Sequence, residues 1–389
     1  MSKLYSMHST RQNKRVGLFL YYEWLSLAPS LVSTIRVLTE KGYAVDILQL
    51  RDETVEAFKP ESDAVTFVSI KLGKLNMLTL LNFFSASLWR SLFRRYEFFI
   101  GVDHEGIIAA GILGTLKRVP HVYYSLEILT KEDIAGEKGI RKVFLIARKL
   151  LEDYFSKRAE VTVVQDKYRA EVLSQDNGIE EARMVFVPNS YYFATPILCN
   201  EDSMGVQIPA DKKIVIYTGS IMPEMALEEV LEGMHNWPKE TFFILHAPYR
   251  TPYMKKIEEV IEKNNLQEKV AISIKKLSFE ELCCLIRKAH IGISFYRPVD
   301  KSFALGPAGK LSFYLSQGKP VVTGTIPSAF DLINIYQCGI CVEDPRDAGG
   351  AIKTILDRYA EFSQHTKQCY EEALNFSQHF NKVLDRIQS

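Results

Sequence analysis

Short apolar runs alternate with helical stretches along the chain, and the alternation happens twice. Val16–Tyr21 reads Val-Gly-Leu-Phe-Leu-Tyr, a continuous apolar strand suited to burial on both faces. Leu31–Glu40 follows as an amphipathic helix, with Gly42 just past its end. Further strands are predicted at Ala44–Leu50, Asp63–Ile70, Phe98–Val102, His121–Ser125, Val161–Val164 and Met184–Val187. Helices are predicted between them at Met77–Tyr96, Ile107–Leu116 and Ile140–Arg158. Tyr191–Lys213 breaks the pattern and reads as a linker. A second series begins at Ile214–Thr218 and continues through Phe242–His246, Val270–Ile274, Ile291–Phe295, Pro320–Thr323 and Gly339–Val342. A helical segment over about Ala348–Ile387 closes the chain. Strands alternating with helices predict parallel, doubly wound sheets, so the expected class is α/β with two such domains facing a cleft.

The length, 389 residues, also favours two domains over one. A formal net charge of +1 gives no electrostatic footprint for nucleic acid. The six cysteines are scattered and read as reduced residues of a cytosolic protein. Cys338 and Cys341 form a C-x-x-C with no second pair at zinc spacing. Met1–Lys14 is polar and lacks an apolar signal core. No apolar run reaches the roughly 18 residues of a spanning helix. The expected location is therefore the cytoplasm.

In parallel sheets, ligands lie beyond the carboxyl ends of the strands. In the first half that places Glu23, His104, Glu127, Asp166 and Asn189 under consideration. His104 directly follows a strand, where an imidazole can exchange a proton with a substrate hydroxyl; the alternative is a loop histidine without chemistry. Glu127 can act on an acceptor or pair with Lys131 across one turn. In the second half the same rule selects Gly219, Ser220, His246 and Arg297. The stretch Gly306–Val322 reads as loop, helix, stop and strand. Gly306, Pro307, Ala308 and Gly309 carry little bulk and feed a helix N-terminus, a natural anion site. Lys310 stands in the first turn, where a cation opposes the helix dipole unless an anion is nearby. Gly318 is expected in the left-handed region, and Pro320 blocks continuation.

Several segments together resemble GT-B glycosyltransferases, most closely the retaining type of family 4. Ile214–Ser220 (Ile-Val-Ile-Tyr-Thr-Gly-Ser) is similar to that family's opening strand and glycine turn. His290–Tyr296 resembles the strand before its donor loop. Lys310–Val322 is similar to its Lys-Leu-x-Glu-Tyr-x-x-x-Gly-Lys-Pro-Val signature, and Tyr336–Ile340 fits the end of the fold. Val122–Ile128, Val164–Asp166 and Val187–Ser190 stand where such enzymes carry strand-end segments. The resemblance implies a Rossmann-like acceptor domain over 1–195, a Rossmann-like nucleotide-sugar domain over 196–368, and a C-terminal helix, 369–389, crossing back to the first. It implies His104, Glu127, Arg297 and Lys310 in catalysis, and donor contacts from Gly219, Ser220, His246, Leu277, Gly306, Pro307, Ala308, Gly309 and Leu311. The nucleotide-sugar is then a substrate, and no cofactor is called for. No Asp-x-Asp stands at a strand end to hold a divalent ion, and the resemblance implies none.

The chain departs from the family at three places. Leu305 and Phe313 occupy the positions of its paired glutamates. Met222 and Met225 stand where it carries a basic residue after the glycine turn, and Leu126 replaces a histidine. Arg297, Lys301 and Lys310 remain to neutralise a diphosphate. Two functions are compatible with this. One is transfer of sugar to a glycan or lipid-linked acceptor in surface polysaccharide assembly. The other is a scaffold on the same fold that has lost catalysis. Leu75–Phe93 is rich in Leu, Phe and Trp89 and is followed by arginines. Lys142, Arg148, Lys149, Lys157 and Arg158 make a second basic helix. Both suit an anionic membrane surface, or ordinary core packing with solvated cations.

Overall fold

The computed structural model describes residues 14–22, 25, 28–51, 62–71, 77–193, 199, 208–299, 304–305 and 309–389. Glu23, Lys301, Gly306, Pro307 and Ala308 lie outside them. The described residues form two parallel sheets.

The first sheet has seven strands in the order β3-β2-β1-β4-β5-β6-β7. They are β1 (Arg15–Leu20), β2 (Ala44–Arg51), β3 (Val65–Lys71), β4 (Phe98–Val102), β5 (His121–Tyr124), β6 (Val161–Val164) and β7 (Met184–Phe186). The order reverses between β1 and β4, whose register pairs Leu20 with Val102. α1 (Pro29–Glu40) covers one face. α2 (Met77–Leu92), α3 (Asp103–Lys117), α5 (Gly139–Ser156) and α6 (Lys167–Asn177) cover the other. α4 (Lys131–Ala135) precedes α5. The sequence reading lacked α4 and α6, and began α3 four residues late. Asp103 enters α3 with φ +53°, so the helix starts directly at the strand end and carries His104 in its first turn.

The second sheet has six strands in the order β10-β9-β8-β11-β12-β13. They are β8 (Lys213–Thr218), β9 (Thr241–Ala247), β10 (Val270–Ile274), β11 (Ile291–Ser294), β12 (Val321–Thr323) and β13 (Gly339–Cys341). α7 (Leu227–Glu232), α8 (Met254–Lys263) and α12 (Ala348–Asp357) pack on one face. α9 (Phe279–Lys288), α10 (Gly309–Ser316) and α11 (Pro327–Tyr336) pack on the other. Gly318 follows α10 with φ +69°, and the N–H of Lys319 returns to the Tyr314 carbonyl. The closing segment is broken. α13 (Tyr359–Cys369) runs into a π turn at Tyr370–Leu374, and α14 (Phe376–Gln388) starts afresh. Phe376, Phe380, Val383 and Leu384 of α14 are buried in the core of the first sheet.

Cys199 and Cys284 are joined by a disulfide, Cα atoms 5.4 Å apart, which corrects the reading of uniformly reduced thiols. Spacing could not reveal it, because the two are 85 residues apart. Cys283, Cys338, Cys341 and Cys369 are free. Among the described residues no group of three or more His, Cys, Asp or Glu gathers as a metal site. None of the described helices is long and apolar enough to cross a membrane.

Candidate active site

The second sheet reverses its strand order between β8 and β11, and the carboxyl ends of those strands carry Gly219 and Tyr296. Gly219 has φ +130° and donates its N–H to the His246 carbonyl at 3.0 Å. Lys310, one residue into α10, reaches back over this turn. Its Nζ donates to Tyr296 Oη at 3.0 Å, sits 4.8 Å from the Tyr296 ring centroid and 5.3 Å from that of Tyr217, and lies 3.5 Å from Met225 Sδ. No carboxylate of the described residues pairs with it. Aromatic faces stabilise an ammonium only in part. The arrangement therefore sets a positive charge at a strand end, beside a helix N-terminus, with no counter-ion among the described residues.

The neighbouring predicted residues gather around this turn. Ser220 Oγ lies 2.8 Å from Tyr249 Oη. His246 is buried, with Nδ1 3.1 Å from Ser273 Oγ, and burial pushes its imidazole down to about 4. It is neutral at pH 7 and offers hydrogen bonds rather than charge. Arg297 stands beside the same loop but is occupied. Both Glu229 oxygens accept from its NH2 at 2.6 Å, and its NH1 donates to the Pro223 carbonyl. Its role is to tie the loop after β11 to α7, leaving Lys310 as the cation directed at the turn. Leu311 is buried in the hydrophobic cluster of α9, α10 and α11, and Leu277 packs against that cluster.

Phe313 explains one departure from the resemblance. It stacks on Phe279 with centroids 5.6 Å apart and planes 8° apart, and lies 4.8 Å from the Tyr191 ring. Arg36 of α1 covers the other partner, its guanidinium 5.1 Å from the Phe279 centroid. The position thus joins the two halves of the chain by aromatic packing. The hydroxyl of the next residue, Tyr314, accepts from the Thr218 N–H at 2.8 Å, fixing α10 against β8.

Gly309 faces the first half. A Cβ there would stand 3.4 Å from Asn189 Nδ2 and 3.4 Å from Pro29 Cγ. Ser312 Oγ donates to the Asn189 carbonyl at 2.6 Å, and the Ser30 N–H donates to Asn189 Oδ1 at 3.3 Å. Ser190 Oγ donates to the Leu374 carbonyl at 2.7 Å, binding the crossover segment at the same point. Asn189 is therefore a joint between the halves. Asp166 caps α6 through the Arg169 N–H at 2.9 Å.

His104 and Glu127 lie at the carboxyl ends of β4 and β5, and among the described residues neither contacts the Lys310 group. The first turn of α3 packs tightly there, since a Cβ on Gly106 would stand 2.5 Å from the Phe19 carbonyl oxygen. His104 Nδ1 pairs with Glu152 Oε2 at 2.9 Å. Glu152 also accepts from Tyr123 Oη at 2.7 Å and Asn177 Nδ2 at 2.9 Å, and lies 3.2 Å from Lys149 Nζ. Burial works against protonating His104, but the Glu152 carboxylate outweighs it and raises its pKa. Asp103, which the sequence reading passed over, accepts from the Leu126 and Glu127 N–H groups at 2.7 and 2.8 Å. Burial pushes its carboxyl up to about 7. Lys131 pairs with Asp153 at 2.9 Å, so it is not the partner of Glu127. The residues sequence reasoning missed are Tyr217, Met225 and Tyr296 around Lys310, and Asp103 with Glu152 around His104. Asp103, adjacent to His104, and Met225, standing where the resembled family carries a basic residue, had a signal in the sequence; the others had none.

The same arrangement of two doubly wound sheets is shared with solved glycosyltransferases. Sucrose-phosphate synthase from Thermosynechococcus elongatus superposes with a TM-score of 0.69 at 14% identity, over 97% of this chain and 99% of that one. A glycosyltransferase from Rickettsia africae gives 0.72 at 13%, over 97% and 98%. HepE from Anabaena, solved with UDP and glucose, gives 0.67 at 12%, over 96% and 100%. The chain has the GT-B fold. No family model and no curated protein sequence matches it. Lys310 and Gly219 belong to the second sheet and its helices, and His104 to the first.

Proposed function

We propose that the protein is a glycosyltransferase that takes a sugar from a nucleotide-sugar and gives it to a glycan or lipid-linked acceptor. The observation that carries this is Lys310, an ammonium with no carboxylate partner among the described residues, set over the Gly219 turn. The donor's diphosphate is the anion that such a charge and an adjacent helix N-terminus suit. As the bond to the anomeric carbon breaks, charge grows on that diphosphate, and donors fixed in advance stabilise it without reorganisation. HepE, on the same fold, was solved with UDP and with UDP-glucose. The reading includes a family 4 type of reaction with retention at the anomeric carbon. It needs no metal, because Lys310 and the backbone N–H groups opening α10 supply the counter-charge. The acceptor enters from the His104 side, and surface polysaccharide or glycoconjugate assembly on the inner face of a membrane is the setting.

Calorimetry with UDP, GDP, ADP and their sugars, without and with a divalent ion, tests it. Binding of one nucleotide-sugar in metal-free buffer supports the reading. Folded protein that binds none overturns it. Phe313, packed among aromatic rings where the family carries a glutamate, favours a second reading: a GT-B protein that has lost catalysis and serves a partner enzyme. Nucleotide binding with no transfer or donor hydrolysis would select it.

A further inference from the structure

α5 is built inside out. Surface helices normally turn their apolar stripe to the core. Here Ile140, Val143, Phe144, Leu150, Leu151 and Tyr154, at helical spacing, face solvent; Ile140 is 89% exposed. Arg148, Lys149, Glu152 and Asp153 of the same helix face inward, and Arg141 in its first turn stays exposed. Lys149 pairs with Asp176 at 2.8 Å and donates to Asn177 Oδ1 at 2.8 Å. Arg148 pairs with Glu105 at 2.6 Å, and Glu152 with His104. The sequence reading counted Arg148 and Lys149 as part of an outward basic face, and the structure corrects that: both are spent on buried partners.

The stripe has neighbours. α2 lies in the same layer, joined to α3 through Phe83, Ala109 and Leu113. Its outer face shows Leu78, Leu81, Trp89 at 73% and Phe93 at 78% exposure. α3, between them, exposes Ile112 and Leu116. Three adjacent helices thus present one apolar face, whereas scattered single apolar residues are the rule on soluble proteins. At the carboxyl ends of these helices stand the exposed cations Arg90, Arg95, Arg118, Lys157 and Arg158, against the exposed acids Glu97 and Glu160. Arg158 lies flat on the Tyr154 ring at 3.6 Å, so cation and stripe are continuous.

We infer that the α2–α3–α5 face docks on an anionic lipid surface, with Trp89, Phe93, Ile140 and Val143 entering the headgroup boundary and the basic end meeting the phosphates. Apolar area sets the depth of such binding, and cations set its preference for anionic lipid. In the transferase reading this face brings the cleft to a lipid-linked acceptor. The docking itself does not depend on that reading: vesicle binding can fail while nucleotide binding holds, and the reverse.

Full-length protein is sedimented with phosphatidylcholine vesicles, with and without phosphatidylglycerol. Binding to the anionic vesicles, weakened by salt, is expected. Ile140→Glu and Trp89→Glu, both on exposed positions, should each lower partitioning about tenfold while the thermal unfolding midpoint is kept. Brominated lipid should quench the wild-type tryptophan emission and leave that of Trp89→Phe less affected. No sedimentation with either vesicle overturns the proposal. So does binding unchanged by Ile140→Glu and Trp89→Glu. Self-association abolished by the same substitutions, without vesicle binding, overturns it in favour of a second copy on this face.

Discussion

Lys310 lies so close over Gly219 that a Cβ on the glycine would stand 2.6 Å from Lys310 Cε. The turn is therefore glycine for two reasons, its φ of +130° and the lysine above it. Gly219→Ala must displace the lysine or rearrange the turn. We expect nucleotide affinity to fall by about tenfold or more, since a strained turn of this kind costs of order 1–3 kcal/mol. Calorimetric Kd values for the wild type and variant decide it. Unchanged affinity would mean that Lys310 binds nothing at the turn.

Removing the charge itself should cost more. Lys310→Ala deletes the only cation of the described residues that reaches the Gly219 turn, since Arg297 is held by Glu229. Loss of one preformed charge stabiliser lowers kcat by roughly 100- to 1,000-fold in enzymes that use one. Transfer rates within a few-fold of wild type would remove Lys310 from the mechanism. The same variant at Arg297 should act differently, lowering the thermal midpoint as the loop after β11 comes free of α7.

The sequence carried the architecture because parallel strands buried on both faces have to be continuous apolar runs. Val16–Tyr21 and Ile214–Thr218 are such runs, and both form central strands. It carried the start of α10 at Gly309 and the turn at Gly219 because a small-residue stretch before a helix and a glycine after a strand are local signals. It did not carry the pairing of Arg297 with Glu229, 68 residues away, nor that of His104 with Glu152. α6 was missed because its hydrophobic periodicity is almost nil; its cap Asp166 and Gly178, left-handed just past its end, were the local signs. α5 misled because its charges were assumed to face water.

Phe313 tests whether the altered signature position is structural. Its ring packs against both Tyr191 and Phe279, which also touch each other, and Arg36 of the first half covers Phe279. Phe313→Ala should destabilise the protein by about 3–5 kcal/mol, the usual cost of emptying a buried phenylalanine site. Phe313→Glu, which restores the residue of the resembled signature, should destabilise it at least as much, because a carboxylate there is buried among rings. Urea unfolding measures both. A Phe313→Glu variant as stable as the wild type and more active would show the position to be an active-site vestige and not a packing site.

Asp103 gives the chain an unusual pH response. Its carboxyl is raised from 3.8 to about 7 by burial, despite two backbone N–H donors. Between those values the folded protein holds a proton that the unfolded chain has released. Stability from this group is thus present in mild acid and lost as pH rises towards 7. His104, also raised, acts in the same direction above its ordinary 6.5. His246 and His290, each pushed down to about 4 by burial, act oppositely between 6.5 and 4. The variant Asp103→Asn removes the carboxyl, together with the part of the His104 shift that it causes. Asparagine tolerates the left-handed φ of +53° and keeps an oxygen for the Leu126 and Glu127 N–H groups. The variant should match the wild type near pH 4 and exceed it increasingly up to pH 7, by up to about 1.4 kcal/mol per pKa unit of the displacement. Urea midpoints across that range check the expectation. A difference between variant and wild type that stays constant with pH would place the Asp103 titration where an exposed carboxyl has it.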